Sequence, residues 1–548
     1  MEDMLGLMEK TDPGRKNRAA GFDPQKHHSL ARKAVAQSIV LLKNEGNSAP
    51  VLPFSENTKA ALIGAFGCTP RYQGAGSSAV NPLQLENLSQ MIEKYLPQNT
   101  GYETGYIPGR KRNPSREQKA LALAAKSQLV LYCMGLDEPS ELEGSDRKDL
   151  SVPEEQILLL QKIYEVNPNI VVLLSTGGAV DLWWERYCSA VVYCQLGGQA
   201  GASAILEVLL GKVCPSGRLS ETWPFHYEDT PAYHYFPGPE RTAEYRESIF
   251  VGYRYYQSAG VPVRYPFGYG LSYTSFSYSN LKTGLRGVSF EIRNTGCRDG
   301  AEVVQLYVGL PKSKVFRAVR ELKGFQKVFL RAGEKAFIKI PFDEKTFRFW
   351  NTASGSWERE PGEYTIYIGA SAEDIRLEGH IFLEGTIDSF PQDQLLLPSY
   401  CAAAVSRIQK EEFQRILGHP APDSGWEGRL CENDALCQMY YAQSRIARFF
   451  CRLLRMKIER MGKPDMNLLF LYNLPFRGIA RMSQGVVDSQ MVNGILDFVN
   501  GHPGKGLKAL FFGWRSNRKR SRIYRKAEVL GNRSGPQKNP AFRRKDTI

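Results

Sequence analysis

Four short apolar runs, at residues 60–64, 129–134, 170–175 and 190–194, alternate with stretches of helical periodicity in the first 225 residues. This alternation constrains the fold more than any other feature of the chain. The run Leu129-Val130-Leu131-Tyr132-Cys133-Met134 contains no alternating polar residue, so both faces of the strand it predicts must be covered. The segments between the runs read as helices. Residues 153–166 place Ile157, Leu160, Ile163 and Tyr164 on one face, and residues 29–42 run from Ser29 through Ala31, Ala34 and Val35 into Ile39-Val40-Leu41-Leu42. Buried strands alternating with helices predict an α/β sandwich over residues 29–225, with a mainly parallel, six-stranded-type sheet and helices on both faces.

The rest of the chain divides by composition. Residues 1–28 are short and polar, too few to fold alone. Residues 226–275 are rich in Tyr, Pro and Gly, as in Tyr233-His234-Tyr235-Phe236-Pro237-Gly238, and predict an ordered surface connector. Residues 276–386 switch to period two, as in Val288-Ser289-Phe290-Glu291-Ile292, with Asn-Thr-Gly and Pro-Gly turns, and predict a small β-sandwich. Residues 387–528 read as a basic helical extension, and residues 529–548 as a disordered tail.

The formal net charge of +14 suggests a nucleic-acid binder until it is divided along the chain. Residues 401–548 hold 27 Lys and Arg against 12 Asp and Glu, a net of +15, so the first 400 residues are almost neutral. Ten cysteines lie scattered, with no CxxC pair to suggest zinc or a disulfide framework. The N-terminus lacks a basic-then-apolar signal pattern, and no apolar stretch approaches the roughly 18 residues of a membrane helix. The expectation is a cytoplasmic protein with reduced cysteines, needing no metal or organic cofactor.

An acidic loop follows the run at 129–134: Asp137, Glu138, Glu141, Glu143 and Asp146, with Arg147 beside them. Loops at the carboxyl ends of parallel strands are where open α/β sheets place their chemistry. A glutamate there, crowded by other carboxylates, can hold a raised pKa and serve as general acid/base; the plainer reading is a solvated acidic loop. Gly74-Ala75-Gly76-Ser77-Ser78 superficially suggests a phosphate loop, but no Gly-Lys-Ser/Thr ending follows. It reads instead as a ligand-side loop or a tight turn, with Arg71, Tyr72 and Gln73 as candidate ligand contacts.

Taken in order, several motifs resemble the β-glucosidase-like glycoside hydrolases of family 3 over roughly residues 5–386. They include Ser38-Ile39-Val40-Leu41-Leu42-Lys43-Asn44-Glu45, Gly197-Gly198-Gln199-Ala200-Gly201, Pro215-Ser216-Gly217-Arg218-Leu219, Pro266-Phe267-Gly268-Tyr269-Gly270 and Glu321-Leu322-Lys323-Gly324-Phe325. The resemblance implies an α/β-sandwich domain followed by a fibronectin type III-like domain, and retaining hydrolysis of β-linked glucosides or short oligosaccharides. It also implies that Glu143, in Glu143-Gly144-Ser145-Asp146-Arg147, is the general acid/base, with Glu141 as the fallback because such loops vary in length. Asp146 and Arg147 are expected to hold that loop in shape through a charge-assisted contact.

One departure from the family is large. The nucleophilic aspartate of such enzymes sits in a Ser-Asp-Trp type motif on a preceding (β/α)8 barrel of roughly 250 residues, and these 548 residues contain no Asp-Trp pair. Residues 1–28 resemble only the last barrel helix and its linker. The resemblance is thus to an enzyme lacking its catalytic barrel, inactive alone: a gene fragment, a frameshifted copy or one half of a split enzyme whose barrel is a separate chain. The alternative is a non-catalytic carbohydrate- or surface-binding module. The basic tail, with Arg445-Ile446-Ala447-Arg448-Phe449-Phe450, reads either as a solvated helical appendage or as a helix for an anionic membrane surface. A nucleic-acid partner is not expected.

Overall fold

The computed structural model describes residues 2–16, 21–46, 49–109, 112–142, 146–238, 242–387, 390, 393–422, 428–460, 466–483 and 486–531. The chain forms two compact units, one of residues 1–142, 146–238 and 243–422, the other chiefly of 423–548.

The first unit begins with helices α1 (Glu2–Lys16) and α2 (Pro24–Ser38) and strand β1 (Val40–Asn44). Strands β2 (Ala60–Ile63), β3 (Gly101–Glu103), β4 (Leu129–Gly135), β5 (Ile170–Ser175) and β6 (Ala190–Tyr193) follow, interleaved with helices α3 (Leu88–Tyr95), α4 (Pro114–Ala125), α5 (Glu154–Val166) and α6 (Gly201–Leu209). The sheet order is β1-β6-β5-β4-β2-β3. All pairings are parallel except β1 with β6.

The apolar runs are continuous because consecutive residues serve opposite cores. Val130, Tyr132 and Met134 pack with Ala120, Leu123, Leu160 and Ile163 of α4 and α5. Leu129, Leu131 and Cys133 pack on the other face with Leu88, Ile92 and Leu206 of α3 and α6. At roughly 2 kcal/mol for each fully buried aliphatic side chain, these two layers dominate the stability of the domain. One expectation is corrected. The predicted helix over 29–42 stops at Ser38, and Val40 to Asn44 is an edge strand pairing Val40 with Tyr193. A four-residue apolar run fits a buried helical turn as well as a strand, and only its partner across the sheet decides.

Strands β7 (Trp223–Pro224) and β8 (Val263–Tyr265) pair within the connector, which also carries α7 (Tyr253–Ala259). The sandwich that follows packs sheet β13-β10-β9 on sheet β12-β11-β16-β17. Its strands are β9 (Phe276–Gly284), β10 (Gly287–Asn294), β11 (Gly300–Gly309), β12 (Glu321–Leu330), β13 (Lys335–Pro341), β16 (Gly362–Gly369) and β17 (Ile375–Leu383), with hairpin β14 (Phe349–Asn351) and β15 (Ser356–Glu358) between. Phe290, Ile292, Val304, Leu306, Ile366 and Ile368 form its fully buried centre. A buried ion pair, Arg218 to Glu302 at 2.7 Å, joins the two domains.

The segment read as one basic extension divides in two. Helices α8 (Asp393–Leu396), α9 (Pro398–Cys401) and α10 (Lys410–Leu417) return to the first unit, where Tyr400 and Phe413 pack on Phe250, Tyr255 and Tyr256 of the connector. The second unit holds α11 (Arg445–Arg460), α12 (Met466–Asn473), α13 (Phe476–Met482), α14 (Ser489–Val499) and α15 (Pro503–Gly531) around Leu430, Ala447, Phe476, Val492 and Val499. Helix α15 extends to Gly531, into the tail read as disordered; residues 532–548 lie outside the described residues.

Candidate active site

Strand order places the chemistry. After β2 the chain crosses by α3 to β3 on one side, and the later strands are laid down on the other, so the sheet has its switch point between β2 and β4. A crevice outside the carboxyl ends of those two strands is the expected ligand position in an open parallel sheet. Both strands stop sharply there. Gly64 has φ +120° and Gly135 φ +150°, and a Cβ on Gly135 would come within 2.0 Å of the Ser175 carbonyl oxygen, so only glycine fits. The amide of Gln156, fully buried on α5, donates to the Gly135 carbonyl (3.0 Å) and accepts from its N–H (2.8 Å). This two-point clasp fixes where β4 ends and the acidic loop begins.

Arg71, in the loop after β2, locks the crevice. Its Nε donates to the Leu136 carbonyl at 3.1 Å, one terminal nitrogen donates to the Gln73 carbonyl at 2.6 Å, and the other pairs with Glu141 at 3.1 Å. The side chain is only 4% exposed, so it acts as a tie between the β2 and β4 loops. The second oxygen of Glu141 accepts from the Gly177 N–H at 2.7 Å, carrying the tie on to the loop after β5. Further along, Arg147 donates to the Ala179 carbonyl at 3.1 Å, and the Asp181 N–H donates to the Leu150 carbonyl at 2.7 Å. The acidic loop is therefore pinned on both sides of residues 143–145. Glu143, Gly144 and Ser145 themselves lie outside the described residues.

The expected Asp146–Arg147 contact is replaced by that bond to Ala179, and Asp146 is exposed. Adjacent residues of an extended loop point apart, so Arg147 reaches the β5 loop and not its neighbour. Among the described residues, the other terminal nitrogen of Arg147 is buried without a hydrogen-bond partner. Burial pushes the Arg147 pKa down, against the raising influence of Glu141, Asp149 and Glu221. Tyr72 and Gln73 hold their own loop: Gln73 donates to the Tyr72 hydroxyl at 2.7 Å and accepts from the Val80 N–H at 2.7 Å.

Glu221 is a member of this cluster that sequence reasoning passed over. It lies two residues beyond the Pro215–Leu219 motif, and only the fold carries it beside Gly178, Arg147 and Glu141. Burial pushes its carboxyl pKa up, opposed by the Ala179 N–H and Arg147. A second missed network closes the other end of the sheet's carboxyl edge. His28 of α2 contacts Glu86 at 2.9 Å and Gln199 at 2.9 Å, while Glu86 accepts from the Ser203 N–H. Burial raises the Glu86 pKa, but the bonds from Ser203 and His28 outweigh it and lower the value.

The cavity at this edge, lined by Arg71, Tyr72, Gln195 and Gly198, holds only about 30 Å³. A site for a sugar needs roughly 300 Å³ or more. What the edge presents is a loop tied down at Glu141 and at Arg147.

Two family models match the chain. The Glycosyl hydrolase family 3 C-terminal domain matches residues 39–273 and the Fibronectin type III-like domain matches residues 302–372. The chain carries the C-terminal domain of glycoside hydrolase family 3, followed by a fibronectin type III-like domain. The chain is 35% identical over 506 residues to thermostable beta-glucosidase B of Acetivibrio thermocellus, covering 88% of the chain and 61% of that protein. It is 37% identical over 402 residues to an exo-alpha-(1->6)-L-arabinopyranosidase of Bifidobacterium longum, covering 70% and 52%. The crystal structure of a family 3 beta-glucosidase of Bifidobacterium adolescentis superposes with a TM-score of 0.67 at 37% identity, covering 72% of the chain and 58% of that structure. The chain thus spans between about half and six tenths of the length of these relatives. Residues 401–548 make up more than a quarter of the chain. A match over 88% of it therefore extends well into the C-terminal helices.

Proposed function

We propose that this chain supplies the acid/base half of a retaining β-glucosidase-type active site, with Glu143 protonating the departing glycosidic oxygen and later deprotonating the attacking water. One observation carries the reading: the loop bearing Glu143 is pinned through Glu141 and Arg147 at the switch point of a family 3 C-terminal domain. Glu141 is tied by both oxygens, which favours Glu143 as the group free to meet a substrate.

The second carboxylate of a retaining mechanism must stand about 5–5.5 Å from the first to form the glycosyl–enzyme intermediate. In this reading it comes from a barrel domain outside these 548 residues, and β-linked glucosides or short oligosaccharides are the substrates. The test mixes the purified chain with the nucleophile-bearing barrel domain of a family 3 relative and follows phenyl β-glucoside hydrolysis. Activity is expected only in the mixture, and Glu143→Gln should lower it by roughly 10²–10⁴-fold. A dinitrophenyl glucoside, whose leaving group needs no proton, should lose far less in its glycosylation step. The assignment fails if the mixture is inert, or if Glu141→Gln and not Glu143→Gln abolishes phenyl glucoside hydrolysis.

A further inference from the structure

We propose that the C-terminal unit is a peripheral membrane-binding module that lays α11 and α15 on an anionic lipid surface. Helix α11 has three faces where a solvated helix has two. Ala447 and Cys451 are buried in the core of the unit. At 100° per residue, Ile446, Phe449 and Leu453 form a second apolar stripe on another side, and this one is exposed; Phe449 is 58% accessible. Arg445, Arg448, Arg452 and Arg455, all exposed, line one border of that stripe.

Helix α15 repeats the arrangement independently. Gly506 and Gly513 are buried where it packs on α14, and a Cβ on Gly506 would approach the Gly494 carbonyl oxygen to 2.5 Å. Leu507, Phe511 and Trp514, at i, i+4 and i+7, are exposed instead, with Phe511 55% accessible. Lys508, Arg515 and Arg518 flank them, and the Arg518 guanidinium sits 5.0 Å from the Trp514 ring centroid. An exposed Phe/Leu/Trp stripe bordered by Arg and Lys is the composition of a helix lying in a lipid headgroup layer, rings at the acyl boundary and cations among the phosphates.

Residues 423–548 hold 24 Lys and Arg against 10 Asp and Glu, a net of +14 that selects an anionic surface and opposes pairing with a second copy. Nucleic acid would satisfy the cations but offers an aliphatic and phenyl stripe no matching apolar surface. No helix among the described residues is long and apolar enough to cross a bilayer, so the mode is adsorption and not spanning.

The test is co-sedimentation of the full chain with vesicles of phosphatidylcholine alone and with about a third phosphatidylserine. Binding is expected to the anionic vesicles and to weaken with salt. Phe449→Asp with Phe511→Asp should lower partitioning at least tenfold. Arg448→Glu with Arg452→Glu should lower it by roughly fivefold or more per position. Brominated lipid should quench tryptophan emission in the full chain, and Trp514→Phe should remove that quenching, a readout independent of how the paired variants fold. The proposal is overturned if anionic vesicles fail to pellet the chain, if both paired variants bind like the parent, or if quenching is absent and duplex DNA binds in place of lipid.

Discussion

Replacing Arg71 by methionine tests whether the crevice is held by one buried guanidinium. The side chain keeps an unbranched stem but ends two heavy atoms short and loses all three hydrogen bonds. The ion pair with Glu141, at 3.1 Å and nearly out of solvent, has a gross Coulomb energy of about 5 kcal/mol at an effective dielectric of 20. Removing one partner leaves Glu141 with the Gly177 N–H alone and orphans the Leu136 and Gln73 carbonyls. Breaking a buried pair in this way costs about 3–5 kcal/mol. At roughly 2–4 °C per kcal/mol for a domain of about 200 residues, Tm should fall by roughly 6–20 °C. Circular dichroism during thermal and urea unfolding measures this. A double-mutant cycle with Glu141→Gln should show a coupling of at least ~1.5 kcal/mol, because the second substitution removes the stranded charge. A loss below ~1 kcal/mol for Arg71→Met, or additive effects in the cycle, would refute the clamp.

Two predictions concern pH. Glu117 on α4 is held by Arg112 at 2.8 Å and Lys162 at 2.6 Å, and its carboxyl is lowered from 4.5 to about 2, chiefly by the bond from Arg112. A depressed carboxyl stabilises the fold fully above pH 4.5 and loses that contribution as pH falls towards 2. Glu117→Gln should therefore cost about 1 kcal/mol at pH 7, a figure discounted because both cations are partly exposed, and the gap should close below pH 4.5. Glu221 has the opposite sign. Burial raises its carboxyl above 4.5, so the ionised form opposes folding at neutral pH, and Glu221→Gln should unfold at a higher temperature at pH 7 with the advantage vanishing near pH 4.5. A lower Tm for that variant at pH 7 would mean that the Ala179 N–H and Arg147 outweigh desolvation.

Much of the architecture was legible in the residues. The stretch Leu129 to Gly135 can hardly be anything but a strand buried on both faces, and the structure buries every residue of it. The period-two runs at 288–292 and 362–369 likewise lie in β10 and β16. Val40 to Asn44 was not legible, because its apolar residues continue the pattern of α2 and only β6 makes them a strand. Strand β3 has three half-buried residues and no signal of its own. The return of α8 to α10 to the connector was hidden too, since a basic helical segment announces no partner until Tyr400 and Phe413 find Phe250.

The site divides along the same line. The local order Glu-Gly-Ser-Asp-Arg at 143–147 is a family resemblance that the chain carries by itself, and an acid/base role is what that resemblance implies. Spacing alone, however, leaves Glu141 and Glu143 as alternatives. What the fold adds is that Arg71, seventy residues earlier, and Gly177, beyond the next strand, tie both oxygens of Glu141. Glu221 and Arg147 likewise meet only because parallel strands deliver their loops to one edge of the sheet. Periodicity and composition therefore determined the layers, since burying apolar surface is a local demand repeated along the chain. That both oxygens of Glu141 are tied was decided by tertiary structure, since a hydrogen bond acts over about 3 Å and sequence distance does not measure that.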